Sequence, residues 1–129
     1  MTTPTLQTVF DTVSSHLLAQ NKRSRDKDDL GCVYRGVGGL KCAVGCLIAD
    51  EHYTPKLEDV PVVAPRVEAA LWKSIDPQGL MPPEERAPLI ALLGKLQRIH
   101  DLYQPQHWPE RLNALAEVFN LKPPKEVTL

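Results

Sequence analysis

Gly31-Cys32-Val33-Tyr34-Arg35-Gly36-Val37-Gly38-Gly39-Leu40-Lys41-Cys42-Ala43-Val44-Gly45-Cys46-Leu47-Ile48-Ala49-Asp50-Glu51-His52-Tyr53 decides how the chain is read. It holds all three cysteines, five of the seven glycines and one of the four histidines, so unusual backbone and reactive side chains coincide in it. Cys32-Val33-Tyr34-Arg35 alternates in polarity with strand-forming residues, Gly36-Val37-Gly38-Gly39 supplies positions where positive φ is inexpensive, and Leu40-Lys41 returns. The pattern predicts a small Gly-rich β-hairpin, with a glycine-rich loop carrying little ladder as the competing form. From Cys42 the period changes: Cys42, Ala43, Val44, Cys46, Leu47 and Ile48 predict a short buried helix, ended by the residues up to Pro55. Gly45 inside it weakens a helix by roughly 1 kcal/mol relative to alanine, which a close approach of another backbone would explain.

Outward from this stretch the chain is helical in pattern. Thr3-Pro4 reads as a cap and first helical residue, and Leu6, Val9, Phe10, Val13, Leu17 and Leu18 then mark one face of a helix over 4–20. His16 borders that face. Residues 21–30 carry seven charges of both signs ahead of Leu30 and read as a solvated loop. Pro65 opens a helix with Val63, Val67, Ala70, Leu71 and Ile75 on its inner stripe and Trp72 beside it, stopped by Asp76-Pro77. Glu84-Glu85-Arg86 reads as a turn before a helix starting near Pro88, whose Leu89, Leu92, Leu93, Leu96, Ile99, His100 and Tyr103 give the strongest periodicity in the chain. Trp108-Pro109 opens a last helix with Leu112, Leu115, Ala116 and Phe119 inward, and 122–129 reads as a tail.

The 129 residues suit one domain, 1–129, and the 5% aromatic content leaves Leu, Val, Ile and Ala to fill the core. The predicted class is therefore mainly α, about five helices around the small Gly-rich hairpin. Fifteen basic and sixteen acidic residues give a net charge of −1. Nothing concentrates a basic face, so a nucleic-acid partner is not expected. No apolar run approaches the roughly 20 residues of a membrane span, and the start shows no leader pattern. Three cysteines, an odd number, suit a reducing compartment, and the expected location is cytoplasmic.

The cysteines admit three readings. Free cysteine packs as a small apolar side chain. Alternatively Cys42 and Cys46, one helical turn apart, with Cys32 and His52, would make a tetrahedral Cys3His zinc site. Third, Cys42 beside Lys41 at a helix start would serve as a nucleophile if His52 or His100 supplied a base. The glycines with Arg35 and Lys41 suggest a phosphate cradle only weakly, because G-x-x-x-x-G-K-[ST] is lacking. Asp50, Glu51 and His52 form a polar group whose acids oppose the dipole of a helix ending there, and His100-Asp101 with His107-Trp108 forms another.

In Tyr34-Arg35-Gly36, Gly39, Lys41-Cys42-Ala43, Gly45, Leu47-Ile48, Asp50-Glu51 and Tyr53 the chain resembles a group of small proteins scattered through bacterial and phage genomes. Their shared pattern is Y-R-G-x-x-G-x-K-C-A-x-G-x-L-I-x-D-E-x-Y. The resemblance covers about that stretch, with weaker agreement in the flanking helices, and Ala49 stands where proline is frequent in the group. No activity attaches to the group, so the resemblance implies a setting only: accessory or mobile-element cargo, a class that includes proteins binding host proteins. With no cofactor required, the expected function is non-enzymatic binding of a protein partner through a polar rim of Tyr34, Arg35, Lys41, Asp50, Glu51, His52 and Tyr53, since Tyr and Arg are enriched at binding hot spots.

Overall fold

The computed structural model describes residues 4–25, 33–58, 60 and 64–124. Helix α1, Leu6–Gln20, starts at Thr5, whose side chain accepts the Thr8 N–H while the Thr8 hydroxyl accepts the Thr5 N–H. This reciprocal cap satisfies two end groups at once. It moves the start two residues beyond the Thr3-Pro4 opening read from the sequence, and Thr3 lies outside the described residues. The helix ends at Asn21, which adopts φ 50° and donates to the Leu17 carbonyl at 2.8 Å.

Helix α2, Pro65–Ile75, has Pro65 in its first turn and stops at Asp76 as read from the sequence; Val63, placed on its stripe, lies outside the described residues. The Asp76 carboxylate then closes the turn, accepting the N–H groups of Leu80 and Met81, each at 3.0 Å. Helix α3 spans Pro83–Leu102 and so begins five residues before the expected start. Pro83 takes the first helical position, where no N–H is needed, and Glu84 and Glu85 favour the first turn. Pro88 falls inside the helix and omits one bond, toward the Glu84 carbonyl, on an exposed face. Helix α4, Trp108–Val118, carries Pro109 in its first turn.

Helices α1, α3 and α4 pack on one another, while α2 packs on the cysteine-bearing stretch, which α1 also touches. One cluster of buried residues joins them: Phe10, Val13 and Leu17 of α1, Val67 and Leu71 of α2, Leu89 to Leu96 of α3, and Trp108 and Leu112 of α4, together with Cys42, Ala43, Val44 and Ile48. No helix among the described residues is long and apolar enough to cross a membrane.

The expected β-hairpin is not there: the described residues contain four α-helices and short 3-10 turns, and no strand. All that remains of the hairpin is one antiparallel bridge, Arg35 to Lys41, with the Gly36 N–H on the Leu40 carbonyl at 2.8 Å and the Cys42 N–H on the Tyr34 carbonyl at 3.2 Å. A 3-10 turn, Val37–Gly39, joins the two sides, with Gly38 and Gly39 at φ 74° and 79°. The ladder stops because its next donor and acceptor are taken: the Tyr34 N–H goes to Glu58 Oε1 at 2.8 Å and the Cys42 carbonyl accepts the Cys46 N–H at 3.1 Å, while groups facing away from the bridge find other partners. The Lys41 N–H donates to Gln20 Oε1 at 2.9 Å, and the Lys41 carbonyl accepts from Gln20 Nε2 and from His16 Nε2, each at 2.8 Å. The Val37 N–H goes to the Arg25 carbonyl at 3.2 Å.

The short helix expected over Cys42 to Ile48 is a turn followed by a 3-10 turn, Gly45–Leu47. A further 3-10 turn, Asp50–His52, places Asp50 and Glu51 at its own start, so these acids do not end a helix and the dipole conflict expected from the sequence is absent. Gly45 is buried, and a Cβ built on it runs into the Tyr34 carbonyl, the close backbone approach that its position suggested. Gly94, midway along α3, has no atom within 4 Å of the same construction. The two glycines therefore respond oppositely to alanine. Gly45→Ala forces the Tyr34 backbone away and lowers unfolding stability by at least about 2 kcal/mol. Gly94→Ala raises it by about 0.5–1 kcal/mol through helix propensity. Urea unfolding of the two variants beside the parent checks both signs.

Candidate functional site

The polar rim named from the sequence is assembled around Arg35. Its guanidinium donates from Nη2 to the Ile48 carbonyl at 2.7 Å and pairs through Nη1 with Asp50 Oδ1 at 2.7 Å. The guanidinium carbon lies 4.4 Å from the centroid of the Tyr53 ring, a cation–π stack. Its Nε is buried with no hydrogen-bond partner among the described residues. Arg35 is thus held by three groups while its side chain stays 20% exposed and that of Asp50 86% exposed.

Glu58 fixes the other half of the rim. Its carboxylate accepts the backbone N–H of Tyr34 at 2.8 Å on Oε1, and on Oε2 the N–H of Arg35 at 3.2 Å and the hydroxyl of Tyr53 at 2.6 Å. One carboxylate thus satisfies two successive main-chain donors, the Tyr34 N–H that a continued hairpin would have turned toward Cys42 and the Arg35 N–H that it would have left facing outward, and aims the Tyr53 ring at Arg35. Partial burial, and then the hydrogen bond to Glu58, push the Tyr53 hydroxyl up to about 12, so it remains a donor at neutral pH. No local pattern around Glu58 announces a partner 24 positions away.

The other named residues divide. Lys41 faces Arg35 across the bridge. Glu51 is exposed and His52 half-buried on the Asp50–His52 turn. Tyr34 is buried, donates its hydroxyl to the Val60 carbonyl at 2.6 Å, and has its ionisation pushed up by that burial. It belongs to the scaffold beneath the rim, on the carbonyl that abuts Gly45.

Cys42 and Cys46 sit inward. Cys42 is fully buried and its Sγ accepts the Gly45 N–H at 3.2 Å; Cys46 donates its thiol to the Ala43 carbonyl at 3.1 Å. Desolvation raises both thiols, that of Cys46 up to about 12, so neither is a thiolate at neutral pH. Among the described residues no three His, Cys, Asp or Glu side chains are grouped to hold a metal ion. Cys32, the remaining member of the Cys32, Cys42, Cys46, His52 set, lies outside the described residues.

Ser24, His100 and Asp101 come together in the order of a catalytic triad, with different wiring. His100 Nε2 accepts the backbone N–H of Ser24 at 2.9 Å, and Nδ1 lies 2.7 Å from Asp101 Oδ1. The Ser24 hydroxyl instead donates to the Leu40 carbonyl at 3.2 Å, and Ser24 and His100 are both fully buried. The base position is therefore filled by an amide and the hydroxyl is turned away, which makes this an anchor for the chain after α1. His107, named with this group from the sequence, is exposed and apart from it, near Gln106.

A shallow hollow of about 440 Å³ lies between α2 and α3, lined by Glu68, Trp72, Pro83, Arg86, Ala87 and Ile90. Arg86 stacks on Trp72 at 4.6 Å and reaches Asp76 Oδ2 at 3.4 Å. The Met81 and Leu80 N–H groups, with Arg86, hold the Asp76 carboxyl below its ordinary range. None of the rim residues lines this hollow.

Glu58→Ala removes the acceptor of two main-chain donors and one hydroxyl, and lowers stability by about 1–3 kcal/mol, measured by urea unfolding. In the native protein Cys42 and Cys46 resist iodoacetamide at pH 7.5, and both label within minutes once urea unfolds the chain; peptide mass spectrometry locates the adducts. No protein-family description, curated protein or solved structure matches the chain.

Proposed function

We propose that this protein is a non-catalytic binding module that docks a protein partner on the rim of Arg35, Lys41, Asp50, Glu51, His52 and Tyr53, braced from beneath by Tyr34. The observation that carries the reading is the stacked pair of Arg35 and Tyr53, each pinned by separate groups and still reaching solvent. Side chains ordered before binding lose little rotamer freedom when a partner arrives, a cost of about 0.5–1.5 kcal/mol for each long side chain left loose. Arginine and tyrosine are the residue types that most often dominate binding energy. Burial of Cys42 and partial burial of Cys46 keep both thiols protonated, which speaks against thiol chemistry at neutral pH. The resemblance to small bacterial and phage proteins suggests the setting, an accessory protein of a phage or mobile element that modulates a host protein in the cytoplasm.

The test uses the exposed Glu51 and the half-buried His52, because Arg35 also holds the Ile48 carbonyl and its replacement would disturb the scaffold. A protein captured from host lysate is titrated against the parent, against Glu51→Arg with His52→Ala, and against Ala114→Arg on the exposed face of α4. The rim variant binds at least tenfold more weakly, about 1.4 kcal/mol, while the α4 variant matches the parent. Equal affinity for all three means that the rim is not the interface.

A further inference from the structure

We propose that His100 is an acid-released latch: in its neutral form it ties down the chain after α1, and in its protonated form it lets that chain go. This goes beyond the binding reading and does not depend on it. The ring is fully buried in α3 and stacks on Trp108 of α4, with centroids 5.6 Å apart. Both ring nitrogens have partners of one kind only. A backbone N–H donates and nothing else, so Nε2, 2.9 Å from the Ser24 nitrogen, must be bare. A carboxylate accepts, so Nδ1, 2.7 Å from Asp101 Oδ1, must carry the proton. The latched state is therefore the neutral Nδ1–H tautomer. A second proton has only Nε2 to occupy, where it meets the Ser24 N–H donor to donor, and the bond is replaced by a repulsion.

Three further bonds hang on what this one anchors. The Ser24 carbonyl accepts the Val33 N–H at 2.9 Å, the Ser24 hydroxyl donates to the Leu40 carbonyl at 3.2 Å, and the neighbouring Arg25 carbonyl accepts the Val37 N–H at 3.2 Å. A Cβ on Gly36 would touch the same two residues, so the chain around Gly36 is packed directly on Ser24 and Arg25. Releasing Ser24 therefore loosens the back of the segment that presents Arg35, with α3 left in place.

The charges around the ring set opposing pulls. Asp101, on the same helix, favours the imidazolium; its carboxylate is held in place by the Gln97 amide at 2.9 Å, whose oxygen accepts the Val44 N–H at 3.1 Å. His16 of α1 is coupled to His100 and opposes a second positive charge. The chain after α1 presents the uncharged Ser24 amide, with Arg23 directed at the Tyr103 carbonyl at 3.2 Å, and α4 presents the uncharged indole. Tyr34 and Cys42, which couple to Asp101, stay protonated because burial raises both. Neutral histidine thus supports the latch, and a proton on Nε2 breaks it.

The experiment follows the full chain by NMR from about pH 8 to about pH 5, reading the His100 ring nitrogens and the amide protection of Ser24, Val33 and Val37. The expected result is a neutral Nδ1–H ring at high pH. On acidification Ser24 opening rises about tenfold per pH unit below the midpoint, the slope of one proton, while Leu92 and Leu96 amides stay protected. Asp101→Asn keeps an acceptor for Nδ1–H and removes the charge that favours the imidazolium, so the transition moves to lower pH. His100→Gln keeps an acceptor near Ser24 that cannot titrate and abolishes the transition; should that variant not fold, the parent and Asp101→Asn pair decides alone. Ser24 protection that survives ring protonation overturns the proposal. So does loss of Ser24 protection only together with Leu92 and Leu96, a ring that stays neutral until the whole protein unfolds, or a transition that Asp101→Asn leaves in place.

Discussion

The structure depends on how the buried main chain between residues 33 and 58 finds hydrogen-bond partners without a helix or a sheet. Each unpaired buried N–H or C=O costs about 1–3 kcal/mol, so a segment this irregular is tolerated only when partners come from elsewhere. Here they come from side chains. Gln20 places its amide against Lys41 as a neighbouring strand would, giving its oxygen to the N–H and its nitrogen to the carbonyl. Glu58 serves Tyr34 and Arg35, Gln97 serves Val44, and Ser74 serves Ala49 at 2.9 Å. Regular helices on either side act as brackets from which these groups reach inward.

This arrangement accounts for the character of the rim. A carboxylate that binds two successive N–H groups and a phenol leaves the Tyr53 ring only one place to lie, and the Arg35 guanidinium then closes over it. Gly45 is the steric complement: without a side chain there, the Tyr34 carbonyl settles against the 3-10 turn. The sulfur atoms of Cys42 and Cys46 fill the space beneath and bond to main-chain groups of the same turn.

The four helices were legible because apolar spacing and proline placement are local signals. Val67, Ala70 and Leu71 behind Pro65 describe α2 without knowledge of any neighbour. The start of α3 escapes a reading that takes Glu84-Glu85-Arg86 as a turn, although Pro83 at the first helical position opposes nothing. The hairpin expectation failed for a different reason. Alternating polarity in 32–35 and the glycines that follow are compatible with a ladder, and whether one forms is decided by competitors for the same N–H groups. The competitor for the Tyr34 N–H, Glu58, stands 24 positions away, so no short window of sequence contains the contest. Of the rim, Arg35, Asp50 and Tyr53 were recognisable by type; Tyr34 shares that type and lies inside, because burial is a property of the packed molecule.

The glutamine device recurs at the other end of α1. Gln7 accepts the Lys122 N–H at 2.8 Å and donates to the Lys122 carbonyl at 3.4 Å, so the chain leaving α4 is fastened to the first turns of α1. The outermost parts of the described chain are therefore neighbours in space, with the Gly38-Gly39 tip open to solvent and no atom within 4 Å of where either residue would place a Cβ. A molecule wired in this way suits circular permutation: a short peptide can join Lys122 to the start of α1 with little loss of entropy, and the chain can be opened at the glycine tip, where the core would not register the break.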